Sequence, residues 1–152
     1  YANNEDAVAY NDKIVGEQTK IGEAIIAFSS NPNDFSLTQI KTQADNSVEV
    51  LNTMKPLDGN KDCLDAAKAL FKFYGDITKG EYKKILELLQ DKDKYTQEQL
   101  SLKINAYTKT IAKKEDPLDA KFQAVQAAFA KKYGFTLTKN ELEEKIKEAT
   151  AN

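Results

Sequence analysis

Apolar residues recur along this chain at helical spacing in four long blocks. The first block runs from about Asp6 to Ser29 and is typical of an amphipathic helix. Its apolar positions are Ala7, Tyr10, Ile14, Ile21, Ala24, Ile25 and Phe28. The run Asn31-Pro32-Asn33 ends this block, because proline disfavours helical geometry in the residue before it.

The second block is shorter and begins at Ser36, which forms a capping-box pattern with Gln39. Its apolar positions are Leu37, Ile40, Ala44, Val48 and Leu51. Residues 55–60 read Lys-Pro-Leu-Asp-Gly-Asn, a composition typical of a turn, and they end the predicted second helix.

The third block predicts one long helix from about Asp62 to Gln90. Its apolar positions are Cys63, Ala67, Leu70, Tyr74, Ile77, Ile85 and Leu88, broadened by Phe71, Phe73 and Leu89. The charged residues 91–94 follow it and predict a turn.

The fourth block begins after Thr96, which forms a capping-box pattern with Gln99. Its apolar positions are Leu100, Ile104, Tyr107, Ile111, Leu118, Phe122, Val125 and Phe129. Pro117 interrupts the block, and Asp116-Pro117 could instead begin a new helix. Because the apolar spacing continues across Pro117, we favour one kinked helix to about Tyr133, with Gly134 as its stop.

A short polar helix is predicted at the end of the chain, from Thr138, which pairs with Glu141 in a capping-box pattern, to about Ala149. Long helices joined by short connections favour antiparallel neighbours. The sequence therefore predicts an all-α fold, an antiparallel up-down-up-down four-helix bundle with a short extra C-terminal helix. Residues 1–152 form a single domain in this interpretation.

The composition narrows the classes of function. All 22 cationic residues are lysine, there is no arginine or histidine, and the net charge is −2. Arginine carries most planar recognition of phosphate, so a nucleic-acid partner is not expected. Without histidine the usual general base at neutral pH and the commonest metal ligand are missing. We therefore expect neither an enzyme nor a cofactor.

The single cysteine, Cys63, excludes a disulfide within the chain and a zinc site built from thiolates. It lies on the apolar stripe of the third block and is interpreted as a small core residue. No run of about 18 apolar residues is present, so no transmembrane segment is expected.

Acidic residues interrupt three of the apolar stripes near mid-helix. Glu17 and Gln18 fill the gap in the first helix, Glu81 fills that in the third, and Lys114 with Glu115 fills that in the fourth. Antiparallel packing would bring the three carboxylates to a similar height. A buried carboxylate needs a partner. The candidate partners are Tyr10, Tyr74 and Tyr107 on the same stripes, and Lys84 and Lys114.

Three interpretations of this candidate polar cluster remain open. The acidic positions could lie at a boundary of the core, because the apolar repeat drifts around a straight helix. They could form a buried network of satisfied hydrogen bonds. They could also bind a cation or small ligand, as glutamates do in ferritin-like bundles, although those also use histidine. In that case Gly16 and Gly80 would make room beside Glu17 and Glu81.

The segment Ala9-Tyr10-Asn11-Asp12-Lys13-Ile14-Val15-Gly16-Glu17-Gln18 resembles the start of the mature part of uncharacterised bacterial surface lipoproteins. The resemblance covers the first predicted helix and, elsewhere, only the pattern of helices. It implies export and a lipid anchor outside this sequence, and it implies no activity. Our hypothesis is a non-enzymatic domain of the periplasm or cell surface with a binding or structural role and a possible protein partner. The alternative is a cation- or small-ligand-binding bundle.

Overall fold

The computed structural model describes residues 1–138, and these residues form an all-helical protein. The five α helices are α1 (Asn4–Ser30), α2 (Asp34–Thr53), α3 (Asp62–Ile77), α4 (Glu81–Gln90) and α5 (Gln97–Tyr133). A single 3-10 turn, Lys92–Lys94, connects α4 to α5. The extra helix predicted from Thr138 to Ala149 lies outside the described residues, apart from its first residue.

Helix α1 begins earlier than the apolar pattern predicts. The Asn3 side chain accepts a hydrogen bond from the Asp6 backbone, and the Asp6 carboxylate accepts one from the Asn3 backbone. This reciprocal pair satisfies two backbone donors that a helix start leaves without partners. Asn3 therefore caps a helix, which an apolar repeat could not reveal.

Helix α2 begins at Asp34, and the prediction of Ser36 as its cap was wrong. Asn33 is the N-cap, and its side chain accepts from the Ser36 backbone at 2.8 Å. The Ser36 hydroxyl in turn accepts from the Asn33 backbone at 3.1 Å. Asparagine is as strong an N-cap as serine, so either residue could have begun the helix.

The single helix predicted over 62–90 was also wrong, because the chain breaks it into α3 and α4. The backbone N–H groups of Lys79 and Gly80 bond to carbonyls three residues back, which tightens the end of α3. The Thr78 hydroxyl donates to the Gly75 carbonyl at 2.6 Å. Glycine at position 80 then permits a non-helical backbone before α4 begins.

Helix α5 is continuous across Pro117 for 37 residues, as the apolar spacing predicts. Thr96 caps it together with Gln99, and Gly134 ends it with a left-handed backbone at φ 72°. Proline removes one helical hydrogen bond, but the apolar side chains on either side of Pro117 still pack on one core. The predicted cap and the predicted stop are both confirmed.

The core lies between α1, α2 and α3, with α5 packed against α3 and α4. Its most deeply buried large side chains are Phe71, Phe122, Ile14, Ile21, Ile25, Ile40, Leu51, Leu70 and Ile111. Gly75 brings α3 close to α2, since a Cβ atom at this position would lie 3.6 Å from the Ala44 side chain. This agrees with a packing role for that glycine.

Candidate functional site

Tyr74 and Glu115 form the central contact of a buried polar cluster between α3 and α5. The Tyr74 hydroxyl donates to Glu115 Oε2 at 2.5 Å, and the two residues are 5% and 3% exposed. Glu115 follows the core residue Ile111 by one turn, so helical spacing directs it inwards. The short hydrogen bond offsets part of the cost of burying a carboxylate.

Asp119 lies one turn beyond Glu115 on α5 and is 4% exposed. Its Oδ2 accepts from the Gln123 side chain at 2.9 Å. The sequence analysis missed Asp119, although its spacing of four residues from Glu115 places both on one helical face. That spacing was the available signal, and it means that two carboxylates share this part of the core.

Tyr82, the second residue that the sequence analysis missed, brings α4 into the cluster. It is 3% exposed, its ring centroid lies 5.3 Å from that of Phe28, and its hydroxyl has no hydrogen-bond partner within residues 1–138. Burial, and then the charge of Glu115, raises the pKa of Tyr82. The same two causes raise the pKa of Tyr74. Both phenols therefore stay protonated at neutral pH.

Glu17 occupies a second polar contact, between α1 and α2. The Ser47 hydroxyl donates to Glu17 Oε1 at 3.0 Å, and Lys20 Nζ lies 3.0 Å from Glu17 Oε2. Ser47 is fully buried and receives a further hydrogen bond from Gln43 at 3.0 Å. Glu17 and its neighbour Gln18 are both buried, so they belong to the interior of the protein.

Glu81 lies at the start of α4, where Lys114 of α5 binds it at 2.6 Å. Burial raises the pKa of Glu81, but the hydrogen bond and charge of Lys114 outweigh it, so the pKa is lowered overall. The Glu81 side chain is 14% exposed and that of Lys114 is 55% exposed. The adjacent residues Lys114 and Glu115 thus contact different helices, α4 and α3.

Two of the three tyrosines proposed as carboxylate partners lie elsewhere. Tyr10 packs against Phe129 at 5.5 Å between ring centroids, and its buried hydroxyl has no hydrogen-bond partner in the described part of the chain. Burial raises the pKa of Tyr10, and the nearby Leu57 backbone, which does not reach hydrogen-bond geometry, reduces this rise only in part. Tyr107 is half-buried, and Lys84 Nζ lies 5.7 Å from its ring centroid.

The three carboxylates predicted to converge have separate partners. Ser47 and Lys20 hold Glu17, Lys114 holds Glu81, and Tyr74 holds Glu115. Within residues 1–138, no group of three or more acidic or thiol side chains could hold a metal ion. Gly16 has open space beside it, with no atom within 4 Å of where a Cβ would lie. The arrangement of these described residues is therefore that of separate polar contacts between helices.

The first part of α5 presents a different environment. No residue from Gln97 to Tyr107 is buried, whereas the helix carries seven buried residues from Thr108 onwards. Leu100 and Ile104 are half-buried, Ile104 packs against the hydrophobic core, and Leu102 is 65% exposed. A shallow groove of about 280 Å³ runs along this part of the helix. Its lining residues are Gln97, Leu100, Ser101, Ile104 and Asn105.

The stretch of sequence that contains this groove is rich in lysine. Residues 79–114 contain nine lysines against five acidic residues, a net charge of +4 in a chain whose total is −2. All nine lysines are exposed. We call residues 79–114 the α4–α5 surface. They include α4, the turn that connects it to α5, and the first half of α5. The sequence analysis did not single it out, because it considered charge only over the whole chain.

Comparison of the chain with protein-family models, with curated proteins and with solved structures finds no match. None of the helices within residues 1–138 has an apolar stretch of the length that crossing a membrane requires.

Proposed function

We propose that this protein is a non-enzymatic helical domain that binds a partner protein through its α4–α5 surface. The observation that carries the proposal is that no residue of α5 from Gln97 to Tyr107 is fully buried, and that the half-buried Leu100 and Ile104 line a groove there. A helix normally buries its apolar stripe against its own domain. Here the stripe continues in sequence from the part of α5 that carries buried residues, Thr108 to Ala130, into a part that carries none.

Apolar side chains gathered in a groove and rimmed by polar groups are a common feature of protein interfaces. Leu100 and Ile104 supply the apolar floor of the groove, and Gln97, Ser101 and Asn105 supply hydrogen-bonding groups beside it. A partner that covers these side chains would remove apolar area from water, and each Å² buried would stabilise the complex by about 25 cal/mol. The buried polar contacts would serve a structural role, holding α3, α4 and α5 in the positions that display this surface.

The proposal includes an antiparallel, up-down-up-down path of the helices, in which α3 and α4 together make the third segment. Two sets of contacts support it. The Asn4 side chain donates to the Tyr133 and Gly134 carbonyls at 3.0 Å, so the start of α1 lies beside the end of α5. The hydrogen bond between Glu17 and Ser47 joins the middle of α1 to the second half of α2. Short connections favour this arrangement.

We also propose that the protein acts at a bacterial cell envelope, in the periplasm or at the surface, with a lipid anchor outside this sequence. The resemblance of residues 9–18 to surface lipoproteins supports this. Fractionation of the full gene product in its source bacterium tests it. We expect the protein in the detergent-soluble membrane fraction and labelled by radioactive palmitate. Recovery in the cytoplasm without label would contradict the localisation and leave the binding proposal standing.

Site-specific photo-crosslinking in the source bacterium tests the binding proposal. A photoreactive residue at Ser101, in the groove, should give one adduct of discrete mass. The same residue at the exposed Lys13 of α1 should not give it. Leu100→Asp places a charge in the groove, so the Ser101 adduct should fall by about tenfold or more, the scale of an interface hot spot.

Leu102→Asp is the matched control, because Leu102 is about 200° around the helix from Leu100 and does not line the groove. Circular dichroism of both variants checks that each remains folded. No adduct at Ser101, or equal loss in the two variants, would contradict the proposed surface.

A further inference from the structure

We propose that the bond between Asp58 and Gly59 is a site of covalent modification, where aspartate converts to isoaspartate at a rate set by two neighbours of the Asp58 side chain. The site lies in the loop between α2 and α3, beside Tyr133 at the C-terminal end of α5. The groove lies at the other end of that helix, so this inference is independent of the proposed binding surface.

The chemistry begins from the sequence. Asp58 is the one aspartate of the chain that glycine follows, and glycine follows no asparagine. The Gly59 nitrogen attacks the side-chain carboxyl carbon of Asp58 and closes a five-membered succinimide ring. The nitrogen loses its proton and the carboxyl group loses its hydroxyl, and the two leave as one water molecule. Glycine favours this step because it has no side chain to shield its nitrogen.

A second water molecule opens the ring at one of its two carbonyl carbons. Attack at the side-chain carbonyl restores aspartate. Attack at the main-chain carbonyl gives isoaspartate, in which the chain runs through the former side chain and the free carboxylate is attached to Cα. One water leaves and one is added, so the product has the mass of the original chain and nothing is oxidised or reduced.

The loop leaves the reacting groups accessible. Asp58 (φ 50°) and Gly59 (φ 77°) are the central residues of a two-residue turn, in which the Asn60 N–H donates to the Leu57 carbonyl at 3.0 Å. Aspartate followed by glycine suits these two positive φ values. Both residues are exposed, and the Gly59 N–H donates to the Pro56 carbonyl at a long 3.4 Å. Most other aspartates of residues 1–138 lie within helices, where the fixed backbone opposes ring closure.

Two neighbours hold the Asp58 carboxylate in the folded protein. The Ala2 backbone N–H donates to Oδ1 at 3.0 Å, and the Tyr133 hydroxyl donates to Oδ2. We call these three residues the Asp58 clasp. The hydrogen bond from Tyr133, and then that from Ala2, lowers the pKa of Asp58. An ionised carboxylate lacks the hydroxyl that must leave as water, so the clasp opposes ring closure by charge as well as by position.

Isomerisation would remove the clasp permanently. Isoaspartate adds one carbon atom to the main chain and moves the free carboxylate from the end of the side chain to Cα. The carboxylate would then no longer reach Ala2 and Tyr133 together. The site would therefore act as a one-way release of the start of the chain from the loop and from the end of α5.

Peptide mapping of the purified chain, incubated in its folded state and in urea, tests the site. Isoaspartate is detected by its methylation with an isoaspartyl methyltransferase and located by fragmentation. We expect it at position 58, preceded by a succinimide lighter by one water. It should accumulate about tenfold faster or more in urea, because a folded loop must open locally before the ring can close.

Two variants of the folded protein test the clasp. Tyr133→Phe removes the donor hydroxyl, and Ala2→Pro removes the donor N–H. Each should raise the rate at position 58 by about threefold or more, the scale of one hydrogen bond. Tyr107→Phe, which removes a hydroxyl elsewhere on α5, and Ala2→Ser, which keeps the N–H, are the matched controls and should react at the parent rate. Circular dichroism checks that every variant is folded.

Each contrary outcome has a definite meaning. Rates in Tyr133→Phe and Ala2→Pro equal to those of their controls would overturn the role of the clasp. Absence of isoaspartate at position 58 in the unfolded chain, or equally fast formation at other aspartates, would overturn the site itself. Neither result bears on the crosslink at Ser101, so the proposed function stands or falls separately.

Discussion

Helix α5 passes through two environments, and the contrast between them is the main structural feature of this protein. From Thr108 to Ala130 it carries buried residues that pack against α3 and the core. From Gln97 to Tyr107 it has no fully buried residue, and there Ile104 and Tyr107 pack against the core as half-buried side chains. The apolar repeat is similar in both halves. The neighbouring helices therefore decide which part of one amphipathic stripe becomes core and which part stays open.

Charged groups differ between the two environments as well. In the first, carboxylates point inwards, as Glu115 does, and a hydrogen bond at 2.5 Å holds this one. In the second and in the rest of the α4–α5 surface, lysines are exposed, and most of them have no ion pair within the described residues. Inside a protein an ionised group is tolerated only with partners, whereas water solvates a surface ammonium at little cost. The inner cluster is suited to stability and the outer lysines are available for contact.

The largest difference in stability is expected between alanine substitutions of Phe122 and Leu102, two apolar residues of α5. Phe122→Ala should lower the free energy of unfolding by about 3–5 kcal/mol, because Phe122 is 1% exposed and its removal leaves a cavity. Leu102→Ala should change it by less than about 0.5 kcal/mol. Urea unfolding followed by circular dichroism measures both. Equal losses would show that the first half of α5 is as tightly packed as the second.

Smaller changes in the free energy of unfolding are expected for two tyrosines of the buried cluster, and these changes have opposite signs. Tyr74→Phe removes a donor from the buried Glu115 and should lower the free energy of unfolding by about 1–3 kcal/mol. Tyr82→Phe removes a buried hydroxyl that has no partner in residues 1–138 and should raise it by about 1 kcal/mol. The two variants are matched, since each loses one hydroxyl. A loss of stability in Tyr82→Phe would show that its hydroxyl is hydrogen-bonded.

The smallest change in the free energy of unfolding is expected for Glu81, which begins α4 and pairs with Lys114 of α5. Its pKa is lowered in the folded protein, so the ion pair with Lys114 stabilises above the ordinary carboxyl pKa and is lost as the pH falls through the folded value. Because Lys114 is 55% exposed, Glu81→Gln should cost less than about 1 kcal/mol at pH 7. Urea unfolding at pH 7 and pH 3 tests this. A difference from the parent protein that persists at pH 3 would exclude the ion pair as its cause.

The sequence predicted individual helices better than their ends. The apolar spacing on both sides of Pro117 indicated a continuous α5, and Thr96 and Gly134 bound it as predicted. The same argument failed at residues 78–80, because the apolar repeat resumes in phase after a short interruption of the backbone. Capping was ambiguous where Asn33 and Ser36 stood three residues apart, since both can satisfy a helix start.

The candidate cluster was predicted only in part. Tyr74 was proposed as a partner for a mid-helix carboxylate, and it binds Glu115. Tyr82 and Asp119 were missed, because Tyr82 follows the break between α3 and α4 and Asp119 lies beyond the gap in the stripe that was considered. Ser47 was also missed, since a small hydroxyl on α2 gives no signal until Glu17 of α1 is placed beside it.

The sequence by itself determined the helical character of the chain, the caps at both ends of α5 and which face of each helix is apolar. These properties depend on interactions between residues three or four positions apart, which the order of the amino acids contains directly. The tertiary structure alone decided which apolar residues are covered, which carboxylate meets which donor and which part of α5 carries no buried residue. Those outcomes depend on the relative placement of helices, since burial and pairing are properties of two surfaces in contact.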